Sequence, residues 1–543
     1  MKRNENEKLR RSFLLNGSPF LVILSVALPL LFQNSLTVVF SFFDVFTAAN
    51  MNSNVVTTVA FASEIRNTLG AISGGLSVGA GIMISRTFGS GDMKRVQVEI
   101  STVFFTALFI AFAILLIFIP FSRPILRLAS FPEELLSQGT FFLSIEILTL
   151  AFTFINSIFF TTEKARGRTK IVMYGNISVM VIKTLLNFGI IYLVSSGTLQ
   201  PETAIYLLPL ASGIAFASFS CIAIRHLFSK KNQFQVSFRK ASFKKIPIVP
   251  LAKLSFPVII EKVLIPFGKV ICNALMIVFG SVGVAAYSCS LRILSLATSP
   301  LVAFKDAETT IISANLGNHN AKRAISFLFY NTFVTFFVGT ILFIIVALSS
   351  ELLISFFAKG NTELADSMRI IYRIARWAAI FDATDGAMCG FLYALRKTKL
   401  PTIVNVIRLF FVRIPVFLLL TRVYGFGIEA IAWSILAANG MDAFLSLIFA
   451  ISAVRDLKCT SKIEKTNNEK LTLAISALGK WDSFDESVVG NDGIVVPEEI
   501  LEAMCLKHKG TLSLHEMTTI YKEAVVEARI DELAREELQQ EFR

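Results

Sequence analysis

Asp382 and Asp385 stand three positions apart inside a long apolar run, on one face if that run is helical. Two carboxylates so placed can share a proton, or hold a hard cation with oxygen ligands. Glu261 and Lys262 interrupt another apolar run shortly after Pro257. Lys183 and Asn187, four apart, share a face in a third. A lysine in an apolar setting can act as a titrating group, and Lys183 lies too deep to snorkel to the interface. Glu64 and Arg66 are two apart, so they do not face each other. They are expected to pair with polar groups on neighbouring helices, Arg292 being one candidate partner for Glu64. Asp44 ends the first apolar run, where a half-buried carboxylate can take up and release protons and a fully solvated one would only end a helix. All share one setting. A charge at mid-membrane costs roughly 2.5–3.5 kcal/mol on insertion scales, so each requires a structural or a functional reason.

The elements that carry these residues are written in the composition. Of 543 residues, 54% are hydrophobic, 51 are Phe and 17% are charged, against roughly 25% charged in soluble domains. Mean hydropathy is +0.65. Runs long enough to span a bilayer fall near 20–46, 55–84, 98–121, 134–161, 171–195, 204–224, 252–279, 285–316, 324–349, 370–395, 401–424 and 428–454. The expected fold is an all-α membrane protein of twelve transmembrane helices. The first run is too long for a signal peptide, and no small-x-small site follows it. Pro29, Pro257, Pro300 and Pro415 are expected to kink their helices, and bending at Pro29 could couple protonation to closure.

Charge alternates from loop to loop. Lys2, Arg3, Lys8, Arg10 and Arg11 precede the first run, and residues 49–54 contain no Lys or Arg. Basic loops follow at Arg86–Arg95, Lys164–Lys170, Arg225–Lys245, Lys322–Arg323 and Arg396–Lys399, with nearly bare loops between them. Positive charge on the cytoplasmic side places both termini there. The formal charge of +13 is therefore spread over successive loops, not gathered into a nucleic-acid surface. From Lys458 onward the balance reverses, with 11 Lys and Arg against 17 Asp and Glu.

The chain also repeats. Ile84-Ser-Arg-Thr-Phe-Gly-Ser-Gly-Asp-Met-Lys-Arg95 matches Ile312-Ser-Ala-Asn-Leu-Gly-Asn-His-Asn-Ala-Lys-Arg323 in Ile, Ser, Gly, Lys and Arg at an offset of 228. The same offset lays Pro29 on Pro257, and an offset of 229 lays Thr169-Lys170 on Thr398-Lys399. A unit of six helices is even, so two copies enter the membrane from the same side as parallel pseudo-symmetric bundles, an arrangement known in transporters. The expected layout is an N-terminus at 1–19, bundles at 20–224 and 252–454, a linker at 225–251, and an acidic cytoplasmic helical tail at 455–543.

Ala27-Leu-Pro-Leu, Phe42-Phe-Asp44 and Gly79-Ala-Gly-Ile-Met-Ile-Ser-Arg-Thr-Phe-Gly-Ser-Gly-Asp92 resemble the first half of a MATE (multidrug and toxic compound extrusion) transporter. Asn315-Leu-Gly, Ala321-Lys-Arg-Ala324, Phe381-Asp-Ala and Arg413-Ile-Pro415 resemble the second half. The resemblance covers about residues 15–455. It implies a V-shaped pair of bundles in the plasma membrane that exports amphipathic organic cations against inward H⁺ or Na⁺. It implies a functional aspartate at Asp44. It matches Asp382 to an aspartate used by sodium-coupled members, with Glu261 near that branch's glutamate, so the two are candidates for Na⁺. Lys183 and Asn187 stand where proton-coupled members often have Asn and Asp, a departure in the first-half network. The expected partners are small organic cations and the lipid bilayer, with no cofactor, no nucleic acid and a monomeric state.

Two rivals keep specific support. Lys183, Lys262, Lys269 and Arg66 would suit a flippase for lipids or lipid-linked oligosaccharides, whose substrates carry phosphate. The acidic tail would suit a receptor or scaffold. An enzyme is not expected: the four His lie in loops or the tail, and no nucleophile and base are paired. The six Cys form no C-x-x-C pair. Asp485–Glu499 has the glycine and final glutamate of a calcium loop but Val488 at its first ligand position, which excludes it.

Overall fold

The structure, a computed structural model, describes residues 2–49, 53–128, 131–230, 232–243, 245–358, 360–478, 487–489 and 495–497. The side chains of residues 2–6, 42–49, 53–57, 60, 201, 202, 204, 245, 246 and those from 460 onward lie outside this description. Two units divide the chain, Met1–Ala453 and Val454–Arg543.

The first unit is helical because its apolar runs leave backbone groups no partner in lipid other than their own helix. In order come α1 (Lys2–Asn16), α2 (Pro19–Ala49), α3 (Ser53–Ser90), α4 (Met93–Phe118), the short α5 (Ser122–Leu128), α6 (Leu136–Ala165), α7 (Thr169–Ser195) and α8 (Pro201–Phe228). The second half has α9 (Lys245–Leu275), α10 (Gly280–Thr298), α11 (Val302–Gly317), α12 (Ala321–Leu348), α13 (Ser350–Ala358), α14 (Thr362–Ala375), α15 (Ala378–Ala394), α16 (Lys399–Val406), α17 (Ile414–Arg422) and α18 (Glu429–Leu478). Phe109, Phe333 and Phe411 are among many large apolar side chains left exposed, as expected of a lipid-facing surface.

Ten helical stretches among the described residues are long and apolar enough to cross a membrane, a coarser statement than the twelve spans expected. The difference has two sources: the runs at 252–279 and 285–316 fall in a single stretch, Pro247–Gly317, and the run at 370–395 is not among the ten. The run at 285–316 is not one helix: a 3-10 turn at Ser299–Leu301 separates α10 from α11, where Pro300 has no N–H to give. The run at 370–395 is likewise broken between Ala375 and Ala378. The run at 401–424 stays continuous, but a π-helical turn at Ile407–Arg413 joins α16 to α17. Pro29 lies inside α2 and Pro257 inside α9.

The sequence repeat is also a repeat of backbone shape. Gly91 and His319, 228 apart, both have positive φ, +90° and +55°. Gly167 and Arg396, 229 apart, do the same at +71° and +63°. Asp92 accepts a hydrogen bond from the Arg95 N–H at 3.0 Å, and Asn320 accepts one from the Arg323 N–H at 3.1 Å, so equivalent side chains cap α4 and α12. Between the halves, α3 packs on α9 and α2 on α11. The two long helices also cross each other reciprocally: Gly89 lies against the Ala314 carbonyl and Gly317 against the Arg86 carbonyl. No side chain fits at either contact.

The N-terminal residues, expected as a cytoplasmic N-terminus with no element assigned, form α1 and join both halves. Arg11 donates to the carbonyls of Phe88 (3.2 Å) and Gly89 (2.7 Å) at the end of α3, and to Asn318 Oδ1 at 3.1 Å beyond α11. A cation at a helix C-terminus satisfies carbonyls that have no partner within the helix. Asn315 donates to the Leu14 carbonyl at 3.4 Å, and Arg323 donates to the Gly17 carbonyl.

In the second unit, α18 continues to Leu478, and Ser487–Val489 pairs antiparallel with Val495–Pro497. This short ladder was not expected in a helical tail. The helix expected over Leu501–Leu538 lies outside the described residues.

The reciprocal glycine contact yields a direct test. Gly89→Ala and Gly317→Ala should each weaken the crossing by about 1–3 kcal/mol, the usual range for overpacking. Hydrogen exchange at residues 84–92 and 312–320 should then rise by roughly 5–150-fold in purified protein. Unchanged exchange would show that the halves are not held together here.

Candidate functional site

Three elements of the second half bring polar side chains into one buried cluster. On α15, Asp382, Asp385, Cys389 and Tyr393 follow one another at helical spacing and so share a face. On α18, Asn439, Asp442 and Ser446 do the same. Between them, the π-helical turn carries Arg408 and Arg413. A π turn inserts one residue into the helical register and re-aims the side chains around it, which is why such turns recur at functional sites.

The bonds form two neighbouring sets. Arg408 Nη1 lies 2.7 Å from Asp442 Oδ2 and 3.8 Å from Asp382 Oδ1. Asn439 Nδ2 donates to Asp382 Oδ1 at 2.9 Å, and Arg413 Nη2 donates to Asn439 Oδ1 at 3.2 Å. Ser446 donates to Asp385 Oδ1 at 2.6 Å, and the Cys389 thiol donates to the same oxygen at 3.2 Å. Asp442 is buried, and its Oδ1 has no hydrogen-bond partner among the described residues. Two carboxylates, Asp382 and Asp442, thus meet one guanidinium at bonding or near-bonding distance, with a second guanidinium one amide away, and Asp385 is held one turn along α15 by Ser446 and Cys389. Buried charges are tolerated only when paired in this way.

Glu261 belongs to a separate small network. Tyr393 Oη donates to Glu261 Oε2 at 2.6 Å, and the Thr402 hydroxyl lies 3.5 Å from the same oxygen. Lys305 of α11 sits over the Tyr393 ring, 4.7 Å from its centroid. Asp306 crosses to the first half and pairs with Lys164 of α6 at 2.9 Å. Lys262 lies against Gly74 of α3, so its stem also spans the seam between halves.

Among the residues singled out from the sequence, Asp382 and Asp385 share a face of α15 but have different partners, Asn439 and Arg408 against Ser446 and Cys389, and Glu261 has a third set. No group of three or more His, Cys, Asp or Glu is arranged to hold a metal among the described residues. In the first half, Arg66 pairs with Glu146 at 2.8 Å and lies over the Phe216 ring, 5.3 Å from its centroid. Glu64 is exposed, and no ion pair joins it to Arg292 among the described residues. Asn187 is buried, Lys183 is half-buried, and both have interaction partners. The side chain of Asp44 lies outside the described residues.

Sequence reasoning missed Arg408, Asp442 and Asn439, as well as Glu146, Lys305 and Asp306. Each was visible as a polar residue inside an apolar run. It also missed Glu308, which is buried and accepts from Asn331 Nδ2 at 2.8 Å.

The topology and the site together define a multi-pass membrane protein of transporter type. The MatE family profile matches residues 29–189 and 257–419, so the chain belongs to the MatE family. The two matches begin at Pro29 and Pro257, the same pair that the repeat aligns. The chain is similar to multidrug export protein MepA of Staphylococcus haemolyticus (strain JCSC1435), with 20% identity over 440 residues, covering 80% of this chain and 94% of that one. It is also similar to the probable multidrug resistance protein YoeA of Bacillus subtilis (strain 168), with 20% identity over 352 residues, 64% of this chain and 75% of that one. Among solved structures, it matches a multidrug resistance MATE family transporter in an outward-facing conformation with a TM-score of 0.76 at 15% identity, covering 82% of this chain and 98% of that one. It also matches a MOP superfamily transporter from Pyrococcus furiosus described as having a binding pocket of reversed polarity, with a TM-score of 0.77 at 14% identity and the same coverage.

The cluster predicts an asymmetric mutational response. Arg408→Met leaves buried carboxylates without their cation and should lower stability by about 3–5 kcal/mol, read as a fall in the thermal midpoint of purified protein. The double variant Arg408→Met with Asp442→Leu removes both partners and should recover much of that loss. A single variant as stable as the wild type would mean that the cluster does not hold these helices.

Proposed function

We propose that this protein is a secondary active antiporter of the plasma membrane that exports amphipathic organic cations in exchange for H⁺ or Na⁺ by alternating access. The observation that carries this is the pairing of Asp382 and Asp442 with Arg408, one helical turn from Asp385, in a chain built of two MatE halves. Carboxylates in excess over their paired guanidinium, held in an apolar setting, can exchange a proton or attract an organic cation. The names of the relatives MepA and YoeA, which refer to multidrug export and resistance, support the same substrate class.

Of the two coupling ions, H⁺ fits the geometry better. A sodium ion needs a shell of oxygens, but Asp382 Oδ1 already accepts an N–H from Asn439 and faces the Arg408 guanidinium. A proton needs only one carboxylate oxygen, and Asp442 Oδ1 is free to take it. Asp44 remains the proposed counterpart in the first half, with Lys183 and Asn187 on α7 and Glu64 and Arg66 on α3 as the polar residues around the passage. Pro29 and Pro257 are the proposed bending points.

Alternating access would require the contacts at the basic-loop end to open. These are the Gly89 and Gly317 crossing, the Lys164–Asp306 pair, and the α1 bonds from Arg11 to both halves. A second substrate class is supported by one observation. Lys164, Lys262 and Lys305 gather near Asp306 at the seam, a setting that would suit a phosphate-bearing lipid or lipid-linked oligosaccharide.

The test is ethidium accumulation in a pump-deficient bacterium with the protein, its Asp44→Asn and Asp382→Asn variants and an empty vector, at matched expression. Wild type should accumulate less dye, and both variants should approach the empty vector. A protonophore should abolish export if H⁺ drives it, and removal of Na⁺ should do so if Na⁺ does. Wild type equal to empty vector would overturn organic cation export and favour the phosphate-bearing class.

A further inference from the structure

A cavity of about 390 Å³ lies where the end of α8 meets α1 and the turn between α6 and α7. Its walls include Arg166, Arg168, Arg225, His226, Gln233 and Glu7. Arg166 is buried and fully engaged. Its Nη2 pairs with Glu7 at 2.6 Å, its Nη1 pairs with Glu163 at 2.8 Å, and its guanidinium lies 4.8 Å from the Phe234 ring centroid. Arg168 also pairs with Glu7, while its Nη1 is 3.7 Å from Glu163. Its Nε is buried with no hydrogen-bond partner among the described residues. Arg225 is exposed and takes part in none of these pairs. Three guanidiniums thus face two carboxylates, which leaves room for one more negative charge. Burial first, and the neighbouring Arg166 second, hold the Arg168 pKa below its ordinary value, against the opposing pull of Glu163 and Glu7.

The surroundings indicate where that charge comes from. Leu210, Ile214 and Ile222 are exposed along α8, with Ile222 at 62%, and they lead toward Arg225 at the basic end of the helix. Ile222 itself lines the cavity. An apolar stripe ending in a guanidinium pocket at the basic-loop side is the pattern of a lipid headgroup site. We propose that this cavity binds the phosphate of an anionic membrane lipid, with Arg225 and Arg168 as donors and the acyl chains lying along the exposed stripe of α8. Arginine suits this task because its planar donors match phosphate oxygens in pairs. Glu7 of α1 also lines the cavity and pairs with Arg166 and Arg168, so an occupied site would adjoin the helix that ties the two halves. The proposal rests on the membrane topology and is independent of what the protein exports.

The test is lipid binding to purified full-length protein in an uncharged detergent, followed by native mass spectrometry. The probes are phosphatidylglycerol, phosphatidylcholine with the same acyl chains, and soluble glycerol phosphate. Phosphatidylglycerol should bind in preference to phosphatidylcholine. Arg225→Ala should weaken it about tenfold, the loss of one charge-assisted contact. Lys230→Ala, a nearby exposed cation outside the cavity wall, should leave it unchanged. Equal binding of both lipids, or an equal loss from both substitutions, would overturn the site. Glycerol phosphate competing as strongly as the lipid would overturn the membrane as the source of the phosphate.

Discussion

Helices in lipid gain nothing from hiding apolar surface from one another, because the tails around them are equally apolar. Association must come from close packing and from polar contacts that lipid cannot supply. The crossing of α3 and α11 meets this constraint with glycine on each side: Gly89 against Ala314, Gly317 against Arg86. Removing both Cβ atoms lets the backbones touch, and the twofold relation makes one solution serve twice. Gly75 and Gly79 bring α3 equally close to Ile259 and Ser255 on α9. The rest of the first unit is arranged around these contacts, since they fix where the polar residues of each half can meet.

The repeat was legible because it sits in such constrained places. Gly89 and Gly317 recur because no other residue fits, and Asp92 and Asn320 recur because each caps a helix that starts directly after a tight reversal at Gly91 or His319. The offset drifts from 228 to 229 residues between the left-handed turns at Gly91 and His319 and those at Gly167 and Arg396. Long apolar runs were equally legible, since only helices satisfy the backbone in lipid. Helix breaks were not. A 3-10 turn at Ser299–Leu301 and the break after Ala375 leave hydropathy unchanged, so two runs of the right length concealed interruptions.

The candidate site was only half legible for a related reason. Two carboxylates at i and i+3 can be found on one helix, as Asp382 and Asp385 were. Their partners stand on other helices, and a helix apolar on all sides does not indicate which face meets which neighbour. Arg408 and Asp442 are 34 residues apart, and Arg66 and Glu146 further still. The π turn that aims Arg408 and Arg413 has no sequence signal that hydropathy detects. Likewise α1 reads as a basic leader until its Leu14 and Leu15 are seen buried and its Glu7 paired with Arg166 and Arg168.

The backbone is symmetric, but the polar chemistry is not, and energetics give that asymmetry a use. For exchange of one monovalent cation against one proton, the electrical terms cancel. Only the pH difference remains, and one unit of it supports about a tenfold gradient. A second proton restores an electrical contribution of ~2.3 kcal/mol per 100 mV. Two protons require two separated acceptors. A strictly duplicated chain would carry identical acceptors in each half, titrating together. Here the second half pairs Asp382 and Asp442 with Arg408, while α3 of the first half pairs Arg66 with Glu146 and α7 carries Lys183 and Asn187. In the antiport proposed above, different cation partners would let the halves load and release at different stages of a cycle. On that reading, duplication would supply the bending points and the seam, and divergence within the membrane the order of events.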